Sequence, residues 1–382
     1  MRLLIAVARY VAQGAYSVIK AATRVQHKVV FLSRQSNSPS RDFLLLADAL
    51  VRRDPDLEIV MRCRMLPVGL VGRIGAAAAM IPQMYHLATS RACVVDGYVI
   101  PVSLLDHRDS LFVVQMWHAL GAIKKLGYQA VGRPGGRDAA LASGMRMHRN
   151  YDLVLCGGPA TVPVFAEAFR VDPSIVEPLG LPRLDYLYAA AEELRAGSGP
   201  VPCGIEALRG EFPRLGESGH DVVLYAPTFR QGGADRYRDV AHALADERYT
   251  LVVKPHPLES ARIEGENVVY AGGVDVLDLL PLCSAVITDY SAVAFEAAAI
   301  GVPVYFYVYD IDEFSRCHGL NIDPLAEMPQ VSSRDMGELA QRIADWGARS
   351  DVTRRLRENY ASAAPGCADR IAGRIIDSTR TS

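Results

Sequence analysis

The feature that most constrains this chain is a repeated change of period. Short apolar runs rich in β-branched residues alternate with helical stretches from residue 28 to beyond residue 300. Ala285-Val286-Ile287-Thr288 shows the unit: a strand to be buried, a polar corner at Asp289-Tyr290-Ser291, then helical composition over 292–300. Strands are predicted at 29–33, 57–61, 92–100, 111–116 and 151–156, with helices at 42–53 and 72–88. A second set of strands is predicted at 222–225, 250–253, 267–270, 285–288 and 304–308. Continuous apolar runs separated by helices specify a mostly parallel sheet covered on both faces. Between the sets, residues 189–218 are rich in Gly, Pro, Ala and Glu and mark a boundary. From 333 onward the pattern is helical, broken near Pro365-Gly366. The expectation is an α/β chain of two doubly wound, Rossmann-like halves with a helical tail. Ligands of such sheets sit beyond the carboxyl ends of the strands, here in the cleft between halves.

Composition removes several function classes. A length of 382 residues suits two domains, and a formal net charge of −2 argues against a general nucleic-acid binder. The seven cysteines show no C-x-x-C pair and no zinc-like spacing, so they read as reduced, buried thiols. No apolar run reaches the roughly 18 residues of a spanning helix. The Walker signature is missing, and no G-x-G-x-x-G follows the first strand, so neither a kinase nor a dehydrogenase is supported. Asp310-Ile311-Asp312 matches a metal-binding D-x-D only superficially. No metal ligand is assigned, no cofactor is firmly implied, and metal dependence stays open.

Residues 1–25 carry Arg2, Arg9, Lys20 and Arg24, and the first acid is Asp42. With Gln13 these positions share one face of a helix whose remainder is apolar. A basic stripe on an apolar helix suits an anionic membrane surface. Arg9 interrupts the apolar core after six residues, which disfavours a secretory signal. The plainer alternative is a helix packed on its own domain.

Four corners carry chemistry. His118 follows the strand at 111–116, where an imidazole can accept a hydroxyl proton at neutral pH; a core histidine bonded to a carbonyl is the alternative. After it, Lys124 and Lys125 are either solvated or attract a phosphorylated acceptor. Thr228-Phe229-Arg230 follows the strand at 222–225, and the planar fork of Arg230 suits a pair of phosphate oxygens. In Lys254-Pro255-His256-Pro257 two prolines fix the turn and present Lys254 and His256 toward a diphosphate, unless this is a plain surface turn. The last corner, Thr288-Asp289-Tyr290-Ser291, opens a helix whose first N–H groups suit an anion. Ser291 is expected as its N-cap or as a phosphate donor, and Glu296 one turn later; simple capping by Asp289 and Ser291 is the alternative.

In order, Trp117-His118, Gly180-Leu181-Pro182-Arg183-Leu184-Asp185, Tyr225 to Arg230, Lys254 to Pro257, Thr288 to Ser291, Val304-Tyr305-Phe306 and Tyr309-Asp310 resemble the CDP-glycerol glycerophosphotransferases of wall teichoic acid synthesis. The resemblance runs from about Lys28 to the end. It implies a GT-B fold, in which 26–195 form the acceptor domain, 196–348 the CDP-donor domain and 349–382 C-terminal helices, after a membrane-surface helix at 1–25. The implied reaction moves glycerol phosphate from CDP-glycerol to a hydroxyl of a lipid-linked (polyprenyl-diphosphate) acceptor and releases CMP, at the cytoplasmic face of the cell membrane. By position, His118 is the implied base and His256 stands at the diphosphate. Thr228, Arg230, Lys254, Thr288, Asp289, Ser291 and Glu296 fall on the donor side, Glu296 toward the ribose. Trp117, Lys124 and Lys125 fall on the acceptor side. The chain departs from the family at Ala119-Leu120, where members usually have Gly-Thr, and at Ala292, commonly Ser; both bear on acceptor and polyol. A CDP-ribitol or other polyol-phosphate transferase, a GT-B glycosyltransferase and a non-catalytic membrane-peripheral partner are the alternatives.

Overall fold

The structure, a computed structural model, describes residues 2–65, 70–197, 203–216, 220–230, 234–255, 265–345 and 350–380. They form two compact units, one of 1–119, 125–183 and 363–382, the other of 120–124 and 184–362.

The first unit is built on a parallel sheet of β1 (Lys28–Ser33), β2 (Glu58–Cys63), β3 (Ala92–Val95), β4 (Phe112–Gln115), β5 (Leu153–Leu155) and β6 (Val176–Glu177), in the order β2-β1-β3-β4-β5-β6. Its central strands are buried throughout (Val29 to Leu32, Ala92 to Val95, Val113 and Val114), as helices on both faces demand. Sequence reasoning ran the third strand on to Ile100, but it stops at Val95. Asp96-Gly97 ends the ladder, and Ile100–Leu104 is helical with Pro101 in its first turn.

The helix α1 (Arg2–Ala22) packs on α3 (Leu70–Thr89), while α2 (Arg41–Arg53) lies against the helix Cys367–Arg380. This last helix therefore belongs to the first unit, whereas Ser350–Tyr360 belongs to the second. Two members of the polar stripe of α1, Gln13 and Lys20, bond to the chain at Asp106. Gln13 accepts from the Asp106 N–H at 2.8 Å, Lys20 donates to the Asp106 carbonyl at 2.7 Å, and Arg108 donates to the Lys20 and Thr23 carbonyls. The solvent face carries Val7 (53% exposed), Tyr10 (69%), Val11 (68%) and Val18 (68%). Among the described residues no helix is long and apolar enough to cross a membrane.

The second unit holds β7 (Asp221–Tyr225), β8 (Tyr249–Val253), β9 (Val268–Tyr270), β10 (Ala285–Thr288), β11 (Val304–Tyr307) and β12 (Ser332–Ser333), all parallel, in the order β12-β11-β10-β7-β8-β9. Numbered within the unit this is the Rossmann order 3-2-1-4-5-6, whose switch point lies between β7 and β10. In the first sheet the order reverses between β1 and β3. These two places carry the corners that matter.

Candidate active-site corners

In the first unit, β4 delivers Trp117 and His118 to the carboxyl edge. Gln115 is fully buried; its Nε2 donates to the Gly97 carbonyl (3.1 Å) and its Oε1 accepts from the Trp117 N–H (2.8 Å), tying the ends of β3 and β4 together. Trp117 adopts a left-handed backbone (φ 59°), strained for a bulky residue, and packing holds it there. Its ring lies 5.2 Å from Phe169, 6.2 Å from His148 and 4.2 Å from His118. His148 is buried, burial pushes its imidazole down to about 3, and its Nδ1 lies 3.0 Å from the Tyr151 hydroxyl. It is a neutral packing group, not an acid–base.

His118 is exposed, and its Nδ1 lies 2.9 Å from the Asp96 carbonyl. A carbonyl only accepts, so Nδ1 carries the proton and the lone pair is on Nε2. That tautomer is the one a general base needs. Gln35 Nε2, also a donor, is 3.4 Å from the same Nδ1 and cannot bond it while it is protonated; the shorter 2.9 Å bond to the carbonyl decides the tautomer. The Asp96 carboxyl is buried, and burial raises it to about 6 against the lowering effect of the Ser33 hydroxyl. Lys125 belongs to this unit and is half-buried.

In the second unit, Asp289 joins the loops after β7 and β10 across the switch point. Its Oδ1 accepts from the N–H groups of Thr228 (2.9 Å) and Tyr290 (2.6 Å), and its Oδ2 from the Thr228 hydroxyl (2.7 Å) and Arg230 Nη2 (3.3 Å). Burial pushes this carboxyl up, and Arg230 and Thr228 pull it back. Arg230 donates from Nε to Asp310 (2.7 Å), and from Nη1 to the Thr228 hydroxyl (2.6 Å) and the Phe229 carbonyl (2.9 Å). Burial lowers the Arg230 guanidinium, but the bond to Asp310 and the charges of Asp289 and Asp310 outweigh it, and the net direction is up. With four donors on Asp289, we take it as the ionised partner of Arg230. The Tyr290 hydroxyl donates to Asp310 (3.0 Å), and its ring stacks on Phe314 at 3.8 Å and 8°.

Thr288 is buried and donates to the Ala226 carbonyl (2.7 Å), so its hydroxyl faces the sheet. The cap position of the helix Val293–Ala299 falls on Ala292, not on the expected Ser291, whose hydroxyl accepts only a long 3.4 Å contact from the Val293 N–H. Glu296 is buried on that helix. Lys254 Nζ donates to the Gly272 carbonyl (2.9 Å), and burial pushes its ammonium down. His256 lies outside the described residues.

Lys124 lies with the second unit, in the segment 120–124, where the Ile123 carbonyl accepts from the Asn321 N–H (2.7 Å) and Lys124 bridges to Leu320. The surrounding protein pushes the Lys124 ammonium down; Asp289 opposes this and Arg230 adds to it, while the side chain keeps contact with solvent. Asp310 faces Arg230 and Asp312 pairs with Arg334 at 2.6 Å, so the two carboxylates of the D-x-D triplet do not converge. Among the described residues no group of three or more His, Cys, Asp or Glu could hold a metal.

Sequence reasoning missed Gln35, Asp96 and Gln115 around His118, and Asp310 as the partner of Arg230. Asp96-Gly97 was a usable signal, a polar residue and a breaker directly after four apolar ones, hidden by extending the strand to Ile100.

Two Rossmann-like units with polar corners at both switch points define a GT-B-type chain. Residues 15–370 match the family described as CDP-Glycerol:Poly(glycerophosphate) glycerophosphotransferase. The chain is 30% identical to the teichoic acid ribitol-phosphate primase of Bacillus spizizenii over 96% of its own length and 95% of that protein's. It is 27% identical to the teichoic acid glycerol-phosphate primase of the same organism, over 72% and 71% of the two chains. The wall teichoic acid polymerase TagF shares the fold with a TM-score of 0.72 at 16% identity, covering 100% of this chain and 98% of that one. The chain belongs to the CDP-glycerol glycerophosphotransferase family, and it is an enzyme of the teichoic acid polyol-phosphate transferase class.

Proposed function

We propose that this protein transfers a polyol phosphate from a CDP-linked polyol to a hydroxyl of a lipid-linked acceptor and releases CMP. The near full-length relationship to a ribitol-phosphate primase carries this reading and favours ribitol. The family description and the shorter match to a glycerol-phosphate primase support glycerol as the second reading.

His118 takes the acceptor proton on Nε2. The hydroxyl oxygen attacks the phosphorus that bears the polyol, a new P–O bond forms, and the P–O bond to CMP breaks. Little covalent chemistry is asked of the protein, so positioning and charge stabilisation supply most of the rate. Lys124 and Lys254 are the proposed cations for the donor phosphates, and Glu296 the proposed carboxylate for the ribose. His256 keeps its proposed place at the diphosphate on the resemblance alone. Arg230 shapes this corner through Asp289 and Asp310.

A place at the membrane surface is part of the proposal, and the exposed Val7, Tyr10, Val11 and Val18 of α1 support it better than the basic stripe does. Purified protein is expected to release CMP from CDP-ribitol, or failing that from CDP-glycerol, only when a lipid-linked acceptor is present. Acceptor-independent hydrolysis, or sugar transfer from a nucleotide sugar, would overturn the reading.

A further inference from the structure

We propose that Arg34 and Arg137 form a phosphate-binding pair at the switch point of the first sheet, holding an anionic phosphate of the acceptor substrate near His118. This inference rests on the transferase reading, because it assigns the acceptor as the source of the phosphate.

The position comes from topology. The order β2-β1-β3 reverses direction at β1 and β3, and the residues leaving those strands border the crevice where open α/β sheets bind ligands. Arg34 and Gln35 leave β1, and Asp96, Gly97 and Tyr98 leave β3. Both loops reach His118, one through the Gln35 carboxamide and the other through the Asp96 carbonyl.

The chemistry comes from charge without a counter-charge. Arg34 Nε is sealed from solvent and makes no hydrogen bond. Burial pushes the Arg34 guanidinium down, Arg137 pushes it further, and Tyr98 opposes them. The Arg137 guanidinium sits 5.1 Å over the Tyr98 ring, whose hydroxyl donates to the Met145 carbonyl at 3.3 Å. Among the described residues neither arginine has a carboxylate in ion-pair distance. Asp42 accepts from the backbone N–H and the guanidinium of Arg183 at 2.5–2.8 Å, Asp138 caps the helix Ala139–Gly144, and the buried Asp96 carboxyl pairs with neither arginine and leaves its Oδ1 without a hydrogen bond. Two neighbouring guanidiniums, one with an orphaned donor, are unfavourable until an anion joins them. The planar forks of two arginines suit the oxygens of a phosphate ester or diphosphate.

The test is titration of inorganic diphosphate into the full-length protein, with CDP present in excess to fill the donor corner. Arg34→Gln and Arg137→Gln are each expected to weaken diphosphate binding about 10- to 100-fold, the size of a lost charge-assisted contact. Because Arg137 is exposed, its variant keeps the fold even if Arg34→Gln does not. In turnover, both variants should raise KM for a lipid-diphosphate acceptor by a similar factor. They should leave KM for the CDP-linked donor, and for a phosphate-free glycoside acceptor, unchanged.

Unchanged diphosphate affinity, or equal losses with phosphorylated and phosphate-free acceptors, would overturn the pair. Loss of binding to anionic vesicles with diphosphate affinity intact would reassign it to a phospholipid headgroup. If wild-type protein turns over no acceptor, the transferase reading fails, and the diphosphate titration still decides whether the pair binds phosphate.

Discussion

The two switch points hold the same residue type in opposite states. In the second unit, Arg230 spends four N–H bonds on Asp310, Thr228, Asp289 and a carbonyl, and its charge faces two carboxylates. In the first unit, Arg34 has an orphaned Nε, feels the charge of Arg137 and, among the described residues, has no carboxylate in ion-pair distance. An arginine after a strand is therefore not by itself a phosphate ligand. Its partners decide whether it braces a loop or awaits an anion.

The comparison breaks most sharply on stability. Arg230→Ala should cost about 3–5 kcal/mol, because it leaves Asp289 buried and facing Asp310 without their cation. Arg34→Gln removes a like-charge contact and should leave the urea midpoint unchanged or slightly raised. Equal losses for the two variants would erase the distinction.

The next effect is in pH. The Asp96 carboxyl sits at about 6 when folded, above the value near 4 of an unfolded aspartate. The stability it contributes is thus full below about pH 4 and lost as pH rises through about 6, on the order of 2–3 kcal/mol. Asp96→Asn should flatten that part of the stability–pH curve, as denaturant titrations at pH 4 and pH 7 would show; an unaltered slope would mean that Asp96 ionises normally.

Thr288→Val should cost about 1–2 kcal/mol by stranding the Ala226 carbonyl. Donor KM should not change, since this hydroxyl faces the sheet; a rise in donor KM with stability intact would return Thr288 to the phosphate corner. The smallest stability effect is expected on α1, where the double change Val11→Ser and Val18→Ser should leave the melting temperature nearly untouched yet weaken binding to anionic vesicles. Lys20→Gln should not weaken it, because Lys20 already serves the Asp106 carbonyl. The reverse pattern would restore the basic stripe as the membrane face.

Most of the framework was legible because buried parallel strands read as unbroken β-branched runs; β10 falls on the predicted 285–288. The losses have local causes. Val176–Glu177 and Ser332–Ser333 are two-residue strands with no apolar period to find. Helical spacing on α1 shows that Gln13 and Lys20 share a face, but the partner that turns that face inward is Asp106, more than 80 residues away. The corners around His118 and Arg230 were visible as positions. Their pairings were not, because Asp96, Asp289 and Asp310 meet their partners through the fold.

The most direct test of the account is His118→Ala, read by CMP release and by calorimetric binding of the CDP-linked donor on the same preparation. Donor affinity should match wild type while turnover falls about 10²–10⁴-fold, as loss of a general base requires. Near-normal turnover, or turnover lost in step with donor binding, would contradict the assignment of His118 as the base.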